Sequence, residues 1–430
     1  MRASISVKKR ATAAAALAFF LTLPGCGTLS GPQEPDPRDV SGRVTWWDTS
    51  NETEAPLFNQ LVAAFEKEYP SVDVTYVNVP FFDAQQQFLE AAREGAAPDV
   101  LRADVGWTAG FVDAGLLADL TGTPAAPEPT EFLENTVAGV TFHGGVYGIP
   151  QVTDTLALLY NKRILEEAGL SRPPRDWEEL REHALTVRST TDAEGIVLNT
   201  DAYFALPFLY GERSDLIDPD RNAITVASPA SVRGVTAAAD LVESGAAPMP
   251  PAEDAYGEMQ GTFKQGGAAM MINGPWAVTE LFDSSTFADR NNLGIVPVPA
   301  GSTGTAGSPT GGHNLVVSAH TESPEAAQLF ARFMTDTAQQ EKAAVALGLL
   351  PARKAAYTED VLSDPVRNSF YFAHTKSVSR VPLVEGAEMF AAFQEHYTAI
   401  LRGERSVTEG LLDTAHSWRA DLLPGWTVDE

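Results

Sequence analysis

Apolar positions along the chain recur first at strand-like and then at helix-like intervals. Val44-Thr45-Trp46-Trp47 predicts a short strand, after which Leu57, Phe58, Leu61, Val62 and Phe65 share one face of a helix over 54–68 that Pro70 ends. Val72, Val74 and Tyr76 alternate along a strand over 72–79, a helix follows over 85–93, and a further strand starts at Pro98. The alternation predicts a parallel α/β sheet. It resumes beyond residue 150 with an apolar strand over 156–160 and a helix running to 187. Asp176 opens that helix as N-cap, with Glu179 three residues on. Further helical stretches are expected over 224–247, 258–264 and 324–344. Residues 268–272 read as a buried strand stopped by Asn273-Gly274-Pro275, which delivers Trp276 to a strand end, where ligands of open α/β sheets sit. The segment 301–312 holds five glycines and is expected to be a flexible crossing. Two α/β units of comparable size imply a cleft between them, a favoured place for a small molecule.

Composition narrows the partners. A 430-residue chain with 44% hydrophobic and 20% charged residues is an ordinary globular protein with room for two domains. Its net charge of −27 would be repelled by phosphate backbones and anionic headgroups, which excludes nucleic acid. Arg2, Lys8, Lys9 and Arg10 precede an apolar run over 11–23, shorter than the roughly 20 residues of a permanent span. Leu23-Pro24-Gly25-Cys26 then resembles a bacterial lipobox, with Pro24 in place of the usual small residue. The expectation is a signal peptide over 1–25, an acylated Cys26 and a polar tether over 26–41. Cys26 is the single cysteine of the chain, so no internal disulfide is available, and its acyl chains would hold the exported protein on the membrane surface.

Catalytic and metal signatures are poor. The seven histidines, at 143, 183, 313, 320, 374, 396 and 416, form no metal-type spacing, there is no Gly-x-Ser-x-Gly elbow, and Gly301, Gly304 and Gly307 lack a P-loop lysine. No catalytic residue, metal or cofactor is expected. What remains is acids and aromatics at strand ends: Trp46, Trp47 and Asp48 with Asn51 and Glu52; Asp104 and Trp107; Asp154; Asp201, Tyr203 and Phe204; and Trp276. A sugar suits that pairing, because a carboxylate accepts from adjacent hydroxyls while a ring covers the apolar face.

Over roughly 43–420 the chain resembles extracellular solute-binding lipoproteins of carbohydrate ABC importers, in the maltose- and maltodextrin-binding group and of actinobacterial type. Gly148-Ile149-Pro150, Leu158-Leu159-Tyr160-Asn161-Lys162, Trp177-Glu178-Glu179-Leu180 and the run from Ala269 to Trp276 carry the likeness, with Ala97-Pro98-Asp99-Val100-Leu101 onward closest to actinobacterial members. The resemblance implies a two-lobed periplasmic-binding-protein-like fold of type II, with a ligand cleft between lobes joined by a multi-strand hinge. Its N-terminal lobe would take 42–152 and 305–353, its C-terminal lobe 154–302 and 355–430. Carried over by position, the ligand-binding residues would be Asp48, Asn51, Glu52, Asp104, Trp107, Asp154, Asp201, Tyr203, Phe204, Trp276, Gly312, His313 and Arg380. Trp107 stands in for a tryptophan the family places where this chain has Ala103. The C-terminal stacking tryptophan is missing from 386–390, which leaves Met389 or Phe390 and favours a disaccharide or short maltodextrin. The implied partners are an α-glucoside of two or a few rings and the transmembrane subunits of an ABC permease. The receptor is expected to act as a monomer, lipid-anchored on the extracellular face of the cell membrane. A trehalose receptor is the alternative within the family. Outside it stand a receptor for an amino acid, polyamine or iron complex, and a secreted glycoside hydrolase.

Overall fold

A computed structural model describes residues 36–430; the expected signal peptide, Cys26 and most of the expected tether lie outside the described residues. The strands of the two principal sheets are, in chain order, β1 (Gly42–Asp48), β2 (Val72–Asn78), β3 (Val100–Asp104), β4 (Ile149–Thr155), β5 (Ala157–Asn161) and β6 (Glu194–Val197). They continue with β7 (Ala268–Asn273), β8 (Leu293–Pro297), β9 (Pro309–Val317), β10 (Leu350–Pro351) and β11 (Val378–Ser379). One sheet runs β10-β4-β9-β3-β1-β2, with β11 added to β9, and the other runs β8-β5-β7-β6. The chain passes from the first sheet to the second at Leu156 and returns between Pro297 and Pro309. The result is a two-lobed α/β fold of the periplasmic-binding-protein kind with a multi-strand hinge.

Neither sheet is all-parallel, which corrects the expectation. β1, β2 and β3 are parallel, but β9 pairs antiparallel with both β3 and β4. In the second sheet, β5 runs antiparallel to β7 and β8. The reason is connectivity: β4 leaves the first sheet for the second and β9 returns from it beside β4, so the two neighbours run in opposite directions.

The helix over Ala55–Glu68 buries Phe58, Leu61, Val62 and Phe65, four of the five residues that its period put on one face. Asp176 caps the helix Trp177–Thr190 by accepting from the Glu179 amide at 2.8 Å. Two expected helices differ. The stretch over 224–247 begins as a strand pair at Ala223–Ile224 and becomes helical at Pro229–Glu243, where Ser228 caps and Pro229 occupies the first turn. The stretch over 324–344 is two helices, Pro324–Met334 and Thr337–Leu347, parted where the Thr335 hydroxyl bonds back to the Ala331 carbonyl.

Each lobe has its own core. Trp46, fully buried, packs edge-on against Phe58 and Phe330 in the first, so it is a core ring rather than a strand-end ligand group. Trp418, Tyr397, Phe393 and Phe208 belong to the second. Among the described residues no helix is long and apolar enough to cross a membrane.

Candidate functional site

A cavity of about 580 Å³ is walled by the segments that follow β1, β3, β6 and β7 and by residues of β4 and β9. Its size falls within the roughly 300–1,000 Å³ typical of small-molecule sites. Ten of the thirteen residues read from the sequence line it: Asn51, Asp104, Trp107, Asp154, Asp201, Tyr203, Phe204, Trp276, His313 and Arg380.

The turn after β7 sets Trp276. Its Nε1–H donates to the Tyr256 hydroxyl at 3.1 Å, and its ring folds back over Gly274, where a Cβ would come within 2.0 Å of the indole. Tyr203 lies 6.5 Å from Trp276 and 6.1 Å from Phe204, and Phe204 lies 6.4 Å from Tyr256, so four aromatic rings form one wall.

Acids stand among these rings. Asp201 caps the short turn Ala202–Ala205 by accepting from the Tyr203 amide at 2.8 Å. Asp154, on β4, accepts from the Tyr203 hydroxyl at 3.0 Å. Burial, with the Asp104 charge adding to it, pushes the Asp154 carboxyl up to about 7. Asp104, at the end of β3, accepts from the Gly106 amide at 2.7 Å and from Arg380 Nη2 at 3.0 Å. The Arg380 guanidinium also lies over the Tyr203 ring at 5.2 Å.

β9 brings its glycines against β4. A Cβ on Gly311 would fall 2.2 Å from Asp154 Oδ1 and 2.4 Å from the Tyr203 hydroxyl, so only glycine leaves that pair room. Gly312 has φ +127 and would set a Cβ 2.2 Å from the Val152 carbonyl. Next along, His313 presents its ring to the cavity edge-on to Phe81 at 5.8 Å. Burial, helped by the charges of Arg102 and Arg380, holds His313 well below its ordinary pKa and keeps it neutral.

Three expected residues do not reach the cavity wall. Asp48 is fully buried beneath it, accepting from Tyr76 at 2.8 Å and from Ser50, with Arg102 at 3.9 Å. Glu52 points to solvent one residue beyond the lining Asn51, and Gly312 sits behind Gly311. Glu54 takes the place of an acid in that first loop. Burial pushes its carboxyl up to about 7, against the opposing pull of Arg102. Arg102 itself is 2% exposed, bonded to Gln151 at 2.9 Å and facing Glu54 at 3.5 Å. Of the two candidates for the missing C-terminal ring, Phe390 lines the cavity and Met389 is buried in the core. The sequence reading also missed Phe81, Phe82 and Tyr256. For Phe81 and Phe82 a signal was available, because Pro80-Phe81-Phe82 follows the strand β2 directly, in the same way that Trp276 follows β7.

Two sheets with a polar and aromatic cavity lined by residues of both are thus the frame in which any solute would be held. The chain belongs to the bacterial extracellular solute-binding protein family, whose model matches residues 49–341. The GacH receptor of Streptomyces glaucescens, solved unliganded and in complex with acarbose, is 40% identical. It superposes with a TM-score of 0.87 over 90% of this chain and 100% of that one. Maltose-bound MalE3 of T. maritima, 24% identical with a TM-score of 0.81 over 88% of this chain and 100% of its own, shares the fold. In sequence, the maltotriose-binding protein of Pyrococcus abyssi is 24% identical over 337 residues, 77% of this chain and 71% of that protein.

Proposed function

We propose that this protein is the sugar receptor of an ABC importer, capturing maltose or a short α-glucoside in its cleft and handing it to the permease. One observation carries the reading: Trp276, Tyr203, Phe204 and Tyr256 form one wall, and Asp154 and Asp201 stand within it. Rings cover C–H faces while carboxylates accept from hydroxyls, and a neutral polyol needs both at once. The similarity to receptors described with acarbose, maltose and maltotriose supports the same class of ligand. The binding residues would be the ten that line the cavity, with Glu54 in place of Glu52. Contacts to both lobes would favour the closed form, the condition for a ligand to shift a two-state equilibrium. Lipid attachment at Cys26 would keep the receptor near its transporter.

Calorimetry with maltose, maltotriose and trehalose tests this. Maltose or maltotriose should bind, and Trp276→Ala should weaken binding at least tenfold, a loss of about 1.4 kcal/mol. Unchanged affinity in that variant would remove Trp276 from the site, and tighter binding of trehalose would reassign the ligand.

A further inference from the structure

The turn that carries Trp276 is held from behind by one face of the helix Ala255–Lys264. Tyr256, Gln260 and Lys264 stand four residues apart on that helix and so share a face. Each bonds to a different part of the segment 273–280. Tyr256 accepts from the indole N–H of Trp276 at 3.1 Å, and Lys264 pairs with Glu280 at 2.8 Å. Gln260, between them, bonds on both sides of the ring. Its Oε1 accepts from Asn273 Nδ2 at 3.0 Å, before Trp276, and its Nε2 donates to the Ala277 carbonyl at 3.2 Å, just after it. The same Nε2 also donates to Glu280 at 3.3 Å. Asn273 completes the hold by accepting from the Gly274 amide at 2.8 Å.

Gln260 is 3% exposed and does not line the cavity. Packing a helix on a sheet needs only an apolar side chain, because a buried amide is costly unless it is bonded. Here the donors and the acceptor all end on residues that flank Trp276. Pairing with β5 fixes β7 as far as Asn273, and the ladder stops there. Trp276 packs against the cores of both lobes, so a small rotation of the turn would displace its ring from the wall it shares with Tyr203.

We propose that Gln260 is a positioning residue of the sugar site, setting the pose of Trp276 from outside the cavity by stapling the two ends of its turn. The inference rests on the sugar-receptor reading for the part Trp276 plays. It adds to that reading a residue that acts through the ring without touching the ligand.

Calorimetry with maltose on Gln260→Met tests it, since that side chain keeps the length and loses the bonds. Affinity should fall about fivefold, the equivalent of one net hydrogen bond. In a Trp276→Ala background the same substitution should have no further effect on affinity, because no ring is left to place. The near-ultraviolet circular dichroism of Trp276, taken as the difference between the protein and Trp276→Phe, should weaken in Gln260→Met without any sugar. Gln260→Glu keeps the acceptor for Asn273 and loses both donors; it should give the same pattern and serves if the apolar variant does not fold. Full maltose affinity in a folded variant overturns the inference. So does an equal loss in both backgrounds, which would make Gln260 a general support of the fold. Absence of heat from maltose and the unaltered protein removes the sugar reading instead. The dichroism then still decides, and an unchanged Trp276 band would show that Gln260 does not place the ring.

Discussion

Asp154 is held in a position that favours its protonated form. Its carboxyl is buried, bonded to a tyrosine hydroxyl and close to Asp104, and its pKa rises to about 7 from the ordinary 3.8. Below about pH 4 both folded and unfolded chains carry the proton, so the shift has no effect on stability. Between about pH 4 and 7 the unfolded carboxyl ionises while the folded one resists, and wild-type stability falls; above that the penalty is constant. Asp154→Asn keeps an acceptor for Tyr203 and cannot ionise. It should therefore stabilise the protein at pH 8 by on the order of 1–3 kcal/mol, with the advantage gone at pH 4. Urea unfolding at the two pH values checks this, and an equal effect at both would mean that packing, not charge, is responsible. Glu54 has the same direction of shift, so the wild-type curve should keep a residual slope in the variant.

At the scale of elements, β9 is the strand that makes the cleft. Its register against β4 shifts between His313 and Asn314, and the two glycines before that shift let the strands close on Asp154. Gly312→Ala meets both a left-handed φ and the Val152 carbonyl, and should cost about 1–3 kcal/mol while lowering sugar affinity. Thermal unfolding and calorimetry on the variant test the pair of effects; a stable variant with full affinity would show that β9 can shift without disturbing the site. Much of the element pattern was legible. The faces of the helices Ala55–Glu68 and Trp177–Thr190 and the buried strand ending at Asn273 follow from apolar spacing and caps. β4 was not legible: all seven of its residues are buried, so it shows no alternation, and Pro150 argues against a central strand. The break between Met334 and Thr337 was masked because the apolar spacing runs through it, although Thr335-Asp336 marks it. In the site, Trp276, Asp154 and Tyr203 could be found as strand-end residues. Asp48 could not be sorted from them, because only the packing of Tyr76 and Arg102 around it shows that it is structural.

On the scale of the whole molecule, Arg380 ties together parts distant in sequence. It pairs with Asp104, which ends a strand of the first sheet, and lies over Tyr203, which packs against the core of the second lobe. Such a bridge makes the angle between lobes depend on contacts inside the cleft, and a sugar touching both sides should bias it further. Saturating maltose should therefore lower the radius of gyration measured by small-angle X-ray scattering. Arg380→Gln, which breaks the bridge, should raise it in the absence of sugar. Identical scattering curves with and without bound maltose would mean that the cleft is rigid.

The chain has seven tryptophans, and their placement has a practical consequence. Trp46 and Trp418 are sealed in the two cores, while Trp107 and Trp276 alone line the cavity. Trp276 also has its indole N–H fixed by one phenol, so its excited state sits in a defined local field. A guest in the cavity should change the surroundings of these two indoles and leave the sealed pair dark to the event. Tryptophan emission should then report occupancy with no attached dye.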